Sequence, residues 1–478
     1  MRFPGEFERR IAAGWLGKTV GGTLGLPVEG RMERLSLTFF DPVPTSAPPN
    51  DDLELQLVWL HLIETSGPVL TPADFAAAWL RHIHYMWDEY GRCRWNLRRG
   101  VPVGAVGSFE NPFHSGMGSP IRSEIWACLF PGDASSAAYY AAMDASLDHG
   151  MEGIAGEVLF AVMQSSVLAG FPLRDAITTA CGFIPPDSET SRAISFVISA
   201  HAADQSAWDC WQDLTARHGN ENFTHAPLNV ALTIWALLYG DGDFEKSILL
   251  AANGGYDTDC TAATVGATLG FLHGPDGIPE RWSRPLGEEV FVGPGILGLS
   301  APRTLTELTT RTCALRGKLH GQKWDRSFWT RITPSVSLHD LAGTINLTPS
   351  RQEYSVAWAN GELPVEVKRA GGAHWPWHVA SDESRAIICL AKDGARLFLD
   401  GLPILECPPG LAYVPATHRS PEGSRVQFNI SQGTHEVRLE LNRRDPSQAA
   451  SVLLAYPNLH LCPWTASELP ESALLPSA

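Results

Sequence analysis

From about residue 5 to about residue 320, apolar positions recur at helical spacing. Thr71-Pro72-Ala73-Asp74 reads as an N-cap, a proline at the first helical position and an acid at the third. Phe75, Trp79 and Ile83 then fall on one face of the helix this start predicts. Further helices are predicted near 134–146, 152–169, 188–203, 205–217, 228–239 and 244–252, with a last one near 304–318. β-Branched alternation is scarce, so this half is expected to be all-α. Residues 90–120, rich in Gly, Pro, Asn and Ser, break the pattern and predict a long loop. Such loops are either functional or tolerated insertions.

After about residue 335 the period changes to two. The runs 354–358, 363–367 and Ala395–Leu399 read as short strands. Val437, Leu439 and Leu441 alternate with Glu436, Arg438 and Glu440, and Asp400-Gly401 and Gln432-Gly433 mark turns. The expected organisation is an all-α domain over 1–325 followed by an all-β sandwich over 326–478.

A chain of 478 residues, 44% hydrophobic, can bury more than one core. Its net charge of -16 argues against nonspecific binding to nucleic acid or to an anionic membrane. Nine scattered cysteines without a CxxC pair fit reduced thiols better than a disulfide framework or a structural zinc site. The opening MRFPGEFERR has no apolar signal core, and no stretch reads as long enough to span a bilayer. The expectation is a soluble, cytoplasmic protein.

Asn50-Asp51-Asp52 precedes a helical run over 53–64. By itself this acid pair is an ordinary helix start, because Asp is favoured at caps and in first turns. A second pair, Asp257 and Asp259 with Cys260 beside them, follows Gly254-Gly255 and opens a helix of small residues over 261–270. Small residues let a helix pack closely, so the acids at its start can be held deep. Four converging carboxylates repel one another unless cations or protons neutralise them. Oxygen ligands select Mg²⁺, Ca²⁺ or Mn²⁺ over zinc. A metal site is therefore expected if the two helix starts meet.

The stretch from Gly14 through Gly17, Gly21 and Gly25-Leu-Pro-Val-Glu29-Gly30 resembles the first helix and Gly-x-Pro-x-Glu turn of the ADP-ribosylglycohydrolase family. Asn50-Asp51-Asp52 is similar to its Thr-Asp-Asp motif, and residues 255–263 to its Gly-Asp-Thr-Asp-Thr-x-Ala-Ala motif. Gly274, Ile278, Pro279 and Trp282 resemble the segment that follows in that family. The resemblance implies an all-α fold holding two Mg²⁺ (or Mn²⁺) ions. It places Asn50, Asp51, Asp52, Asp257, Asp259 and Cys260 at the metal positions, and Glu29 beside them as ligand or acid/base. Glu29, Asp52 and Asp257 are the implied catalytic groups. Paired divalent ions polarise sugar hydroxyls and orient water, and a nearby carboxylate handles the water's proton.

Asn50 and Cys260 replace threonines of those motifs, and Lys18 stands where many members carry aspartate. Asparagine still offers a carbonyl oxygen, whereas a neutral thiol is a poor ligand for Mg²⁺. Asn111, Gly116, Met117, Gly118, Arg122 and His149 resemble substrate-cleft positions of a longer-chain branch. Asp144 and Asp148, four apart, share a helix face next to His149. The second half is similar to accessory sandwiches of galactose-binding-like topology, which bind sugars, cover the catalytic domain or form a homodimer interface. Trp375 and Trp377 are either a stacking platform or core.

The implied activity is metal-dependent hydrolysis of an N- or O-glycosidic bond, releasing ADP-ribose from a modified protein or small molecule. Two alternatives stand beside it: a glycoside hydrolase of the same fold acting on another sugar, and a non-catalytic binding relative.

Overall fold

The structure, a computed structural model, describes residues 5–331 apart from 87, 99, 110 and 112, then 368, 371–411, 420–445 and 450–457. The expected strands at 354–358 and 363–367 lie outside the described residues. The chain divides into two compact units, Met1–His84 with His114–Pro334 and Tyr85–Phe113 with Ser335–Ala478.

The helices in chain order begin with α1 (Glu6–Gly25), α2 (Asp51–Thr65), α3 (Pro72–His82) and α4 (Asp88–Arg98). They continue with α5 (Glu124–Leu129), α6 (Ala134–Ala145), α7 (Met151–Leu168), α8 (Leu173–Cys181), α9 (Glu189–Ala202) and α10 (Ala207–His218). The last are α11 (Ala226–Tyr239), α12 (Phe244–Asn253), α13 (Thr258–His273), α14 (Glu280–Ser283), α15 (Leu305–Ala314) and α16 (Phe328–Arg331). All but α4 belong to the first unit.

The start of α3 is the predicted one. The Thr71 hydroxyl accepts from the Asp74 N–H, and Asp74 Oδ2 accepts from the Thr71 N–H at 2.7 Å. One expectation fails on α7. By length and composition this helix could cross a bilayer, yet 89% of it is buried inside the helical unit, so its all-round apolarity belongs to a core helix.

At the centre α1 and α13 lie in direct backbone contact. A Cβ on Gly17, Gly21 or Gly25 would overlap the backbone of Gly266, Ala262 or Thr258, and one on Gly270 would overlap Ala13. Glycines and alanines on both helices permit an approach that no larger side chain allows.

In the second unit, β1 (Gly372–Val379), β6 (Gly433–Leu441), β3 (Ala395–Leu399) and β4 (Leu402–Cys407) form one antiparallel sheet in that order. β5 (Arg425–Ile430), β2 (Glu383–Ala391) and β7 (Ala450–Ala455) form a second antiparallel sheet. Trp377, Ile387, Leu397, Val437 and Leu454 share one core between them, which makes a sandwich. Asp400 (φ 50°) and Gly401 (φ 80°) make the predicted tight turn between β3 and β4. Trp377 is 2% exposed and belongs to this core rather than to a stacking platform.

The expected loop at 90–120 is overturned in its first part, where α4 forms. Its buried residues include Asp88, Glu89, Arg92, Arg94 and Asn96, so the polar residues sit where an apolar stripe would normally reveal a helix. Phe113, at the end of this segment, packs on Ala386, Ile388 and Leu453 across the other face of the smaller sheet. With both faces covered, β2 and β7 read as continuous apolar runs rather than as alternation.

Candidate metal centre

The close contact of α1 and α13 puts the start of α13 against the end of α1. The Thr258 hydroxyl donates to Gly25 O at 2.8 Å. A short 3₁₀ turn, Leu26–Val28, then delivers Glu29. The chain after Glu29 is pinned to the turn before α13: Gly30 N–H donates to Tyr256 O at 2.9 Å and Tyr256 N–H donates to Arg31 O at 2.7 Å. Gly255 is left-handed here (φ 72°), and a Cβ would meet the carbonyl oxygens of Glu33 and Arg31 at 2.5 and 2.6 Å. Asn229 of α11 completes the seat by accepting from the Asp257 N–H at 3.1 Å.

The two helix starts meet. Single oxygens of Glu29, Asp257 and Asp259 lie within 4.8 Å of one another, and so do ligand atoms of Asp52, Asp259 and Cys260. Asp259 belongs to both groups. Asn50 ties the two starts together: its Oδ1 accepts from the Asp52 N–H at 2.7 Å and its Nδ2 donates to Asp259 Oδ2 at 3.3 Å. Asp51 sits half-buried at the same helix start.

Burial pushes the Asp52 carboxyl well above the usual range; Lys18 opposes this, and Asp259 and Asp51 add to the rise. Burial likewise raises Asp257 strongly, with Asp259 and Glu29 adding to it, and raises Asp259, with Asp51 adding. The Cys260 thiol is driven well upward by burial and then by Asp257 and Asp259, which keeps it protonated. Gathering like charges in a buried site has this cost unless a cation is present.

Lys18 is 1% exposed and reaches into the cluster from α1. Its Nζ donates to Ile121 O at 2.7 Å and lies 3.4 Å from Asp52 Oδ1 and 3.2 Å from Glu124 Oε2. Burial disfavours this ammonium, but Glu124 and Asp52 outweigh it and hold its pKa above the ordinary value. Glu124 also accepts from Gln56 Nε2 at 2.8 Å and Gln164 Nε2 at 3.2 Å. Glu124, Gln56, Gln164 and Asn229 were not singled out from sequence. The available signal was Gln56, a polar residue one turn after Asp52 that stands between Leu55 and Leu57.

The expected substrate positions Asn111, Gly116, Met117, Gly118, Arg122 and His149 are all buried. Arg122 is fully buried, its fork on Asp148 at 2.9 and 2.7 Å, its Nε on Asp144 at 2.9 Å and its Nη1 on Gly118 O at 2.6 Å. His149 Nδ1 is 2.9 Å from Asp148 Oδ1 in the same cluster. Gly116, Met117 and Gly118 form the buried turn leading to Arg122, where Ile121 N–H donates to Met117 O at 3.3 Å. Asn111 belongs to the second unit; its Nδ2 donates to Gly107 O at 2.7 Å and its Oδ1 accepts from Phe113 N–H at 3.0 Å. The structure thus brings together Glu29, Asn50, Asp51, Asp52, Asp257, Asp259 and Cys260, and gathers Arg122 and His149 around Asp148.

A hard cation fits the first group. Asp259 Oδ1 is buried with no hydrogen-bond partner, an arrangement costly to an acceptor unless a cation or proton meets it. The acidic clusters are able to hold a metal ion.

A family model for ADP-ribosylglycohydrolases matches residues 4–318. The chain belongs to the ADP-ribosylglycohydrolase family. The match takes in α1, α2 and α13, and with them every acid of the centre. A solved structure described as an ADP-ribosylglycohydrolase-related protein complex is 20% identical, with a TM-score of 0.45, covering 69% of this chain and 99% of that one. Among curated proteins none matches. Membership of the ADP-ribosylglycohydrolase family supports a glycohydrolase-type activity for this chain.

Proposed function

We propose that this ADP-ribosylglycohydrolase-family chain is a metal-dependent hydrolase that cleaves an N- or O-glycosidic bond and releases ADP-ribose from a modified protein or small molecule. The observation that carries this reading is the meeting of Glu29, Asp257 and Asp259 within 4.8 Å around a buried oxygen of Asp259 that lacks a hydrogen-bond partner. Glu29, Asp257 and Asp259 are the residues that would hold Mg²⁺ or Mn²⁺. When bound, such an ion polarises the sugar's hydroxyls and stabilises charge developing as the bond breaks.

The chain's own groups do the rest. Glu29 is the half-buried member of its group, so it is the carboxylate placed to take a proton from an attacking water. Asn229 accepts from the Asp257 backbone N–H and so anchors the turn that carries the Asp257 carboxylate. A cleft lined by Lys18, Thr23, Asn50, Asp52, Glu289 and Phe291 gives access beside Asp52.

The test is incubation with ADP-ribosylated protein, ADP-ribosylated small molecules and a panel of simple glycosides, each with Mg²⁺, Mn²⁺ or EDTA. Release of ADP-ribose that depends on the metal is expected. Sugar release from simple glycosides alone would replace the substrate assignment with that of a different glycoside hydrolase. No turnover together with no metal binding would leave a non-catalytic relative.

A further inference from the structure

The two sets of candidate ligands share Asp259 but differ in kind. On one side stand three carboxylates, Glu29, Asp257 and Asp259. On the other stand Asp52, Asp259 and the thiol of Cys260, and a thiol is a poor donor to a hard cation. That second side already holds a positive charge. The Lys18 ammonium lies 3.4 Å from Asp52 Oδ1 and 3.2 Å from Glu124 Oε2 and donates to Ile121 O at 2.7 Å. An ammonium carries three donors, and here three acceptors surround it, so it is fixed in place. Lys18 is 1% exposed, with its ammonium turned onto these partners at the inner wall of the cleft beside Asp52. Lys18 is on Asp52 Oδ1 and the Cys260 thiol faces Asp52 Oδ2 at 3.8 Å, so a divalent ion on that second oxygen would share one carboxylate with the ammonium and be repelled by it.

We propose that Lys18 serves as a built-in cation on the Asp52 side, so that the chain loads one divalent ion, on the Glu29–Asp257–Asp259 side, and not two. The inference rests on the metal-dependent reading above and changes its stoichiometry. It assigns Lys18 a positioning role: it neutralises Asp52 and Glu124 and holds the starts of α2 and α5 together around a single metal. Asp52 is then a member of the ion-paired wall of the site, not a ligand of a second metal.

The test is titration of the full chain with Mn²⁺, read by calorimetry for stoichiometry and by electron paramagnetic resonance for coupling. One Mn²⁺ per chain with an uncoupled spectrum is expected. Lys18→Met, which removes the charge and keeps the stem, is expected to take up a second Mn²⁺ and to give an exchange-coupled spectrum, with circular dichroism confirming that it folds. Two ions bound by the wild type would overturn the inference, and that measurement stands even if the variant does not fold. A folded Lys18→Met that still binds one ion would show that Lys18 is not what limits the site. No Mn²⁺ on the wild type would remove the metal-dependent reading itself, a result distinct from finding two.

Discussion

Asp259→Asn is the substitution whose sign separates a metal centre from an ordinary acidic patch. Asp259 is 4% exposed, and its Oδ1 has no hydrogen-bond partner. It stands within 4.8 Å of oxygens of Glu29 and Asp257, a separation at which two unit charges repel by about 3 kcal/mol at an effective dielectric near 20. Burial, with Asp51 adding to it, holds its carboxyl above the ordinary carboxylate range, the direction expected of a charge that the site disfavours when no cation is present. In EDTA the variant is therefore expected to be as stable as the wild type or about 1–2 kcal/mol more stable. With metal at a hundredfold excess over its Kd the wild type gains about 2.7 kcal/mol, equivalent to a rise in Tm of roughly 3–4 °C for a unit of this size, and the variant should show almost none of it. Thermal unfolding of both proteins in EDTA and over a Mn²⁺ series measures all four states. A variant that is clearly less stable than wild type in EDTA, or that keeps the full Mn²⁺ shift, refutes the assignment.

Gly21→Ala places a methyl group into the Ala262 carbonyl at the α1–α13 contact and should lower stability by about 1–3 kcal/mol or more in urea unfolding, weakening Mn²⁺ affinity at the same time. Full stability would mean the two helices can part without loss. Arg122→Met strands Asp144 and Asp148 in a buried site, and a loss of roughly 3–5 kcal/mol is expected; a loss below about 1 kcal/mol would show that the ion cluster contributes little. Burial holds the His225 imidazole down to about 4 from an ordinary 6.5. Its unfolded form binds the proton first, so its contribution is complete above about pH 6.5 and is lost as pH falls towards 4, by about 3 kcal/mol in total. His225→Gln should flatten the decline in stability between pH 7 and pH 4.5, and an unchanged slope would assign the decline to other groups.

Much of this protein was legible along the chain because the interactions concerned are local. The Thr71–Asp74 capping box closes within one turn, and the Asp400-Gly401 turn follows from the left-handed φ both residues adopt. Both acid pairs are adjacent or nearly so in sequence, and each opens a helix as expected. The small residues of α13 correctly signalled close packing. α4 was hidden because its buried residues are largely charged and polar, and β2 and β7 because burial on both faces erases alternation.

What the sequence determined alone is the kind of chemistry: hard oxygen donors at two helix starts, and a thiol where an oxygen would serve better. Which donors meet was decided only by tertiary packing. The backbone contact of α1 with α13 sets Glu29 beside Asp257 across more than two hundred residues of chain, and Asn50 bridges to Asp259. The same packing buries Lys18 against Asp52 and Glu124, and draws Arg122 onto Asp144 and Asp148. A charge's partner depends on distance through space, and periodicity along the chain carries no record of it.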